Sequence, residues 1–544
     1  MKASDLIPWK RRGRRRCSLW GLAGRVGARL ARVAAVLCGL LGLFLQPGTE
    51  AASRPNICLI QFDSWDGRAL GALGCAPLRR ATPNCDRLAA RGAVFRNAYC
   101  SHPICCPSRA NMWSGRYTHH IESWNNHKGL EPGAETFKNR LERVGYRFAS
   151  KLGGIGKHDY LSGGHSQLAR VTAWTAPADI ELPSYRPARP RVLPGLERRV
   201  HKKDWSLVDK ACRWLEEEAR AEKPFFLYVS MGIPHPAFVT SRYWLSRIDR
   251  NAVGVPPEDD ELHPVMRYQR ISKNWTHGFD PQTVRLTRSI YYAMIAEADA
   301  MAGRLLDQLD RLGLTANTYV ILVSDHGENN MEHRQWYKMN MYESSARVPF
   351  IVAGPGVMKG RVLNNIVSLI DLYPTLMDMG RAEGPGNLDG ESLMPLLTGR
   401  TTRSRNWALA EFTGSTANTS MFMWREGDWK YVAYPGRPPQ LFNLREDPDE
   451  IHNLARRRPE IARLMDRRLR ETVDYPEVHR RWIRYCKAAF AKWRERLQKH
   501  PIHLKEYGAD IPRAGYEQVM ANIYLGWDAK WEARLDAWLA EPTP

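Results

Sequence analysis

Cys105-Cys106-Pro107-Ser108-Arg109 is the stretch of this chain whose residue types most invite chemistry. A thiol followed one helical turn later by a guanidinium sets a reactive sulfur beside a fixed cation. Read bare, the same five residues also suit a turn that opens a helix, or half of a disulfide. Hard oxygen donors of the kind a calcium-like ion prefers stand at the ends of apolar runs. Asp63 follows Asn56-Ile57-Cys58-Leu59-Ile60-Gln61-Phe62, with Asp66 close behind, and Asp325-His326 follows Tyr319-Val320-Ile321-Leu322-Val323. Cations and bases are scattered between and beyond them: Lys157, His165, His235 in Ile233-Pro234-His235-Pro236, His263 in Leu262-His263-Pro264, and Lys338. Taken singly, each of these is more often a surface or structural residue than a catalyst.

The elements that must position them repeat as strand, loop, helix, strand. Short apolar runs at 56–62, 225–229, 319–323 and 349–353 read as buried strands, and 82–92 and 284–312 as helices. This is the pattern of an α/β domain built on a mainly parallel sheet. Polar residues just past strand ends then share the carboxyl edge, which makes Asp63 and Asp325-His326 neighbours in space. Beyond a polar linker near Gly399-Arg400-Thr401, the runs 421–424, 429–434 and 440–444 read as a smaller antiparallel sheet. The tail from about Tyr475 reads as helical and Trp-rich, and Trp527, Trp531 and Leu535 share one helix face. That face is expected to pack on the main body; a membrane-surface helix is the alternative.

The stretch from Cys105 to Arg116 resembles the signature of the type I sulfatases, Cys-x-Pro-Ser-Arg followed by a small-residue segment and Gly-Arg. The resemblance extends, in chain order, to Asp63, Gly156-Lys157, His235, Asp325-His326, Lys338 and Trp429-Lys430-Tyr431, and so covers about residues 54–457. It implies an alkaline-phosphatase-like α/β domain with a smaller C-terminal antiparallel subdomain and a helical tail. The corresponding boundaries are a signal segment at 1–52, a catalytic domain at 53–399, a subdomain at 400–474 and a tail at 475–544. It also implies that the formylglycine-generating enzyme oxidises Cys105 in the endoplasmic reticulum, and that the hydrated aldehyde supplies the attacking oxygen. One Ca2+ would be held by Asp63, the Cys105-derived group, Asp325 and His326. Arg109 would support the hydrate, and Lys157, Lys338 and a histidine would bind sulfate, with His235 favoured over its rival His263. Two departures stand out. Ser64 occupies the place of a second aspartate, and the histidine that usually follows the first lysine is absent, leaving His165 as substitute.

The chemistry is coherent on its own terms. A sulfate ester spreads negative charge over three oxygens, so its hydrolysis needs a strong nucleophile, a metal and cations. Asp63-Ser64, Ile104-Cys105-Cys106-Pro107-Ser108-Arg109, Glu122-Ser123-Trp124-Asn125-Asn126 and Ser324 to Glu328 are similar to a branch of the family that removes 2-O-sulfate from glucuronate of heparan, chondroitin or dermatan sulfate in lysosomes. Two other readings are a phosphodiester or phosphonate hydrolase sharing the signature, and a non-catalytic secreted glycan-binding protein motivated by Ser64.

Composition fits this setting. The net charge is +22, of which residues 1–52, with ten Lys/Arg and two acidic residues, carry +8 and the remainder +14. A body that basic attracts polyanions, and no helix-turn-helix or zinc-finger spacing favours nucleic acid. Basic residues before an apolar run from Val33 to Leu45, then Ala51-Ala52-Ser53, read as a secretory signal, and no stable membrane insertion is expected because the run is short. Eight cysteines beyond that segment suggest disulfides in an exported protein. Asn274-Trp275-Thr276 and Asn418-Thr419-Ser420 fit glycosylation acceptors. The expected destination is the lysosome, with secretion as a second route.

Overall fold

The apolar runs of the sequence become the inner strands of a seven-stranded sheet. The computed structural model describes residues 54–149, 160–162, 190–218, 221–273, 275, 279–414, 417–506, 509–523 and 527–543. In chain order β1 is Asn56–Asp63, β2 Ala93–Tyr99, β3 Arg147–Phe148, β4 Arg191–Leu193, β5 Phe225–Pro234, β6 Val239–Ser241, β7 Thr318–Ser324, β8 Phe350–Ala353 and β9 Arg361–Ser368. The large sheet has the order β3-β5-β1-β7-β8-β2-β9, while β4 and β6 pair separately. Its neighbours run parallel except at β8, which is antiparallel to both β7 and β2. Strands this apolar must be covered on both faces. From β1, Cys58, Ile60 and Phe62 enter a core with residues of helices Pro83–Arg91, Lys202–Glu218 and Pro281–Arg311. Ile57 and Leu59 point the other way, to residues of helices Cys105–Ser114, Phe137–Arg143 and Leu372–Gly380.

The register aligns the ends that matter. Phe62 sits opposite Ser324, and Asp63 opposite Pro234, so β5, β1 and β7 finish side by side. The long helix begins at Pro281, three residues before its apolar periodicity, because Asp280 caps it with bonds of 2.9 Å from Gln282 N and Thr283 N.

A second sheet, β10 Trp407–Phe412, β11 Met421–Glu426, β12 Trp429–Tyr434 and β13 Arg437–Asn443, is an antiparallel meander. Strand alternation gives it two apolar faces. Ala410, Met421, Met423 and Val432 pack on Met339, Met341 and Tyr342 of the first body. Leu409, Phe422, Trp424 and Leu441 pack on the helices Pro459–Thr472 and Tyr475–Lys499, with Trp482 fully buried among them.

Two expectations are corrected. Trp531 and Leu535 are buried, but against Phe490, Leu504, Tyr516 and Met520 of the tail itself rather than the main body; the hairpin of β14 Ile502–Glu506 and β15 Ala509–Ala514 supplies part of their partner surface. The eight cysteines are all free thiols. Cys58, Cys85 and Cys212, with Cys75 against them, sit in one core, Cys100 and Cys486 in two others, where they serve as small apolar groups, burial pushing Cys58 and Cys75 up to about 12. Among the described residues no helix is long and apolar enough to cross a membrane.

Candidate active site

Asp63 and Asp325 meet because their strands are hydrogen-bonded neighbours. Asp325 N donates to Phe62 O at 3.2 Å, and Ser324 Oγ donates to Phe62 O at 3.1 Å while accepting from Trp65 N at 2.9 Å. Ser64 adopts a left-handed backbone, φ 69, a conformation that costs a non-glycine residue about 1 kcal/mol or more. That turn aims Ser64 N at Asp325 Oδ1, 3.3 Å away, and lets its hydroxyl donate to Asp63 Oδ1 at 3.0 Å. Tyr291, from the long helix, donates its hydroxyl to Ser64 O and accepts from Asp66 N, both at 2.9 Å. The hydroxyl of Ser64 is therefore spent on Asp63, and the Asp66 carboxylate is held by Arg68 Nη2 at 2.7 Å.

Cys105 opens the helix Cys105–Ser114, and one turn on Arg109 reaches both carboxylates. Its Nη2 lies 2.8 Å from Asp63 Oδ2 and its Nε 2.8 Å from Asp325 Oδ2. Ser108 Oγ donates to Asp325 O. His326 donates Nδ1–H to Gly327 O at 2.9 Å, which leaves Nε2 facing Cys105 Sγ at 3.2 Å. The same nitrogen is 3.6 Å from Asp63 Oδ1 and 3.6 Å from Asp325 Oδ1. One ligand atom from each of Asp63, Cys105, Asp325 and His326 falls within 4.8 Å of the others.

Electrostatics bind the cluster together. Burial favours the neutral acid at Asp63, yet its cationic and imidazole neighbours, with Lys338 and Arg109 the standing charges among them, outweigh it and hold the group far below its ordinary range. Asp325, by contrast, is raised to about 7 by burial and by the charge of Asp63. Two acids this close resist joint ionisation, and a cation relieves the pair. The donors fit an oxygen-preferring divalent ion: two buried carboxylates, one imidazole nitrogen and the side chain at 105, with coordination left over for an anionic ligand. Burial and the Asp63 charge push the Cys105 thiol up to about 12, so as a plain thiol it is a poor nucleophile.

Two further candidates face this cluster. His235 follows the end of β5, is pushed down to about 4 by burial and by Lys338, and so stands near Asp63 as a neutral imidazole at neutral pH. Lys338 is buried, and its charge is felt by Cys105, Asp63 and Asp325. The loop bearing it holds six non-glycine residues at positive φ, Asn330, Met331, His333, Arg334, Tyr337 and Met339. Such strain persists only where surroundings over-determine it. Here Met339 N donates to Pro103 O at 3.2 Å, Glu332 pairs with Arg68 at 2.7 Å, His333 with Asp259 at 2.5 Å, and Lys430 Nζ donates to Met341 O at 2.8 Å.

His263 is engaged elsewhere. It caps the helix Pro264–Ser272, accepting from Val265 N at 3.3 Å and donating to Pro438 O at 2.8 Å, so both ring nitrogens are used. Asn418 is partly buried, with Thr419 Oγ1 donating to Pro435 O at 2.8 Å. Lys157, His165 and Asn274 lie outside the described residues. Sequence reasoning missed Glu328, buried and raised to about 7 by its burial, and Lys273, buried with its ammonium 4.4 Å from the Trp275 ring. Both act on Lys338 or beside it, and no spacing rule points to a lone buried lysine.

Comparison with known proteins places the chain among its relatives. Residues 55–381 match the Sulfatase family, and residues 331–474 match a second one described as N-sulphoglucosamine sulphohydrolase, C-terminal. The chain is 40% identical over 524 residues to arylsulfatase K of Gallus gallus, covering 90% of this chain and 94% of that protein. It is 39% identical over 544 residues to arylsulfatase K of Homo sapiens, covering 93% and 97%. Among solved structures, the phosphonate monoester hydrolase of Agrobacterium radiobacter has TM-score 0.64 at 24% identity, over 77% of this chain and 96% of that one. A 2-O GAG sulfatase has TM-score 0.59 at 24% identity, over 78% and 94%. These two likenesses speak for the fold. The chain belongs to the sulfatase family and is a sulfuric ester hydrolase similar to arylsulfatase K.

Proposed function

We propose that this sulfatase works through a formylglycine made from Cys105, with one calcium ion at Asp63, Asp325 and His326, and that it removes 2-O-sulfate from glucuronate of heparan, chondroitin or dermatan sulfate in the lysosome. The observation that carries the reading is the convergence of Cys105 Sγ with His326 Nε2 and two buried carboxylates that Arg109 bridges. Calcium would supply a Lewis acid for the sulfate oxygens, and formylglycine a nucleophilic oxygen that a thiol with so high a pKa does not offer.

The chain's own residues divide the remaining work. Arg109 ties the two carboxylates together and keeps positive charge beside the reacting centre. Lys338, a buried ammonium, marks where an anionic ester settles, and His235 supports it from the end of β5. Lys157 is proposed as a second sulfate-binding lysine and His165 as general acid or base. His263, with both nitrogens used, is the weaker histidine for the sulfate. Sugar selectivity rests on the motif likeness, and the basic charge of the body suits a polyanionic glycan. A signal at 1–52, maturation by the formylglycine-generating enzyme and glycosylation at Asn274 and Asn418 belong to the same reading.

The test has three arms. Tryptic mass spectrometry of the Cys105 peptide from a competent secretory host should find the aldehyde; an unmodified thiol in active enzyme would sink the mechanism. Cys105→Ala should abolish turnover of an aryl sulfate while leaving the thermal transition in place. Disaccharides sulfated at one position each should release sulfate from 2-sulfoglucuronate, and no release there refutes the sugar assignment. An aryl phosphodiester hydrolysed faster than the aryl sulfate would favour the phosphoester reading.

A further inference from the structure

Glu122 to Leu130 wraps the open end of the helix that carries Cys105. That helix starts after Ile104, whose backbone is extended and whose side chain offers no cap. The first-turn amides of a helix need outside acceptors. Pro107 has no N–H to satisfy, and Cys106 N donates to Asn126 Oδ1 at 3.0 Å, across 20 residues of chain. The acceptor that a helix ordinarily takes from its own N-cap comes here from a separate turn.

That turn is itself over-determined. Asn125 Oδ1 accepts from His127 N at 2.9 Å and from Lys128 N at 3.0 Å, an Asx-type turn. Ser123 Oγ donates to Lys128 O at 3.1 Å, and Thr413 Oγ1, from just beyond β10, donates to Trp124 O at 2.7 Å. Gly129 packs so closely that a Cβ there would lie 2.6 Å from Cys106 Sγ and 2.3 Å from Tyr160 O. From the tail helix, Arg481 Nη2 meets Glu122 Oε1 at 2.5 Å, and its guanidinium lies 5.6 Å from the Trp124 ring centre.

We propose that Asn126 is a positioning residue for the nucleophile: its side-chain carbonyl fixes the first turn of the Cys105 helix, and the tail, through Arg481, holds the turn that carries it. The proposal rests on the reading that Cys105 supplies the reacting atom. Misplacing such an atom by a fraction of an ångström lowers the rate of reaction without weakening the binding of substrate.

Asn126→Ala, Asn126→Asp and Arg481→Ala are compared with the unaltered full chain for kcat and KM on 4-nitrocatechol sulfate, thermal midpoint, and aldehyde content at Cys105. Asn126→Ala should lower kcat about 10-fold to 100-fold with KM changed less than about twofold and aldehyde content unchanged. Asn126→Asp keeps an acceptor at the same place and should recover most of the lost kcat. Arg481→Ala should lower kcat in the same direction by a smaller factor. Full kcat in Asn126→Ala overturns the proposal, as does a loss that follows the thermal midpoint and is not restored by aspartate. An unmodified Cys105 in active unaltered enzyme overturns the formylglycine reading instead, and the kcat of Asn126→Ala then still decides the role of Asn126.

Discussion

Lys338 shows how much one side chain can depend on its surroundings. Burial pulls an ammonium toward the neutral form, yet Cys105, Asp63, Asp325 and Glu328 outweigh that and hold Lys338 above its ordinary range. It is therefore charged at neutral pH. A fixed cation in a site shielded from water acts most on charge that develops during reaction. Lys338→Ala should cost about 100-fold to 1000-fold in kcat on an aryl sulfate; a loss under about threefold would remove Lys338 from the site. Arginine at this place should not restore the rate, because a planar guanidinium presents a wider, fixed fork of donors than the compact ammonium buried there. Lys338 was legible in the sequence through its order after Asp325. Glu328 and Lys273, which share its electrostatics, were not, since only the fold brings residues 273, 328 and 338 together.

At the scale of elements, the second sheet is a brace for the loop that bears Lys338. Lys430 Nζ, fully buried on β12, lies 2.9 Å from Glu343 Oε1 and 2.6 Å from Glu450 Oε1 while donating to Met341 O. Lys430→Met leaves Glu450 without its cation and Glu343 with Arg347, 3.3 Å away, and should cost about 3–5 kcal/mol in denaturant unfolding. A second contact joins the two bodies: His119 Nδ1 lies 2.7 Å from Glu411 Oε1, where β10 passes the short helix Thr118–Ile121. Burial would lower the His119 pKa, but the Glu411 charge outweighs it and leaves the group raised. A raised histidine stabilises fully below its unfolded value near 6.5, and the contribution is lost as pH climbs through the folded value. The pair should therefore add more to stability at pH 5 than at pH 8, and shift the difference in melting between those pH values in that direction. Glu411→Gln should narrow that difference by about 1 kcal/mol; an unchanged difference would show that the pair does not report on pH. Three strands of the meander were readable as apolar runs, whereas β10, the short helix Thr118–Ile121 and the pairing of His119 with Glu411, 292 residues apart, were not, because only the fold sets them side by side.

Over the whole molecule, the charge surplus outside residues 1–52 is +14. Long-range attraction of that sign should make turnover of a sulfated polymer salt-dependent, with KM rising as ionic strength shortens the Debye length below about 10 Å. A sulfated disaccharide, which spans fewer charges, should show a shallower rise; equal slopes would argue that the body's charge has no part in substrate capture. The sequence by itself determined the α/β class, the strand ends that carry Asp63, His235 and Asp325-His326, the helical spacing of Cys105 and Arg109, and the family. All of these depend on local periodicity and on order along the chain, which a sequence preserves. Only the tertiary structure decided that Ser64 spends its hydroxyl on Asp63, that His263 is a helix cap, that Trp531 and Leu535 pack within the tail, and that the eight cysteines form no disulfide. Those outcomes depend on which side chains meet across hundreds of residues, and packing settles them. So the chemistry announced at Cys105 becomes a site only where three strand ends, one helix and one strained loop converge.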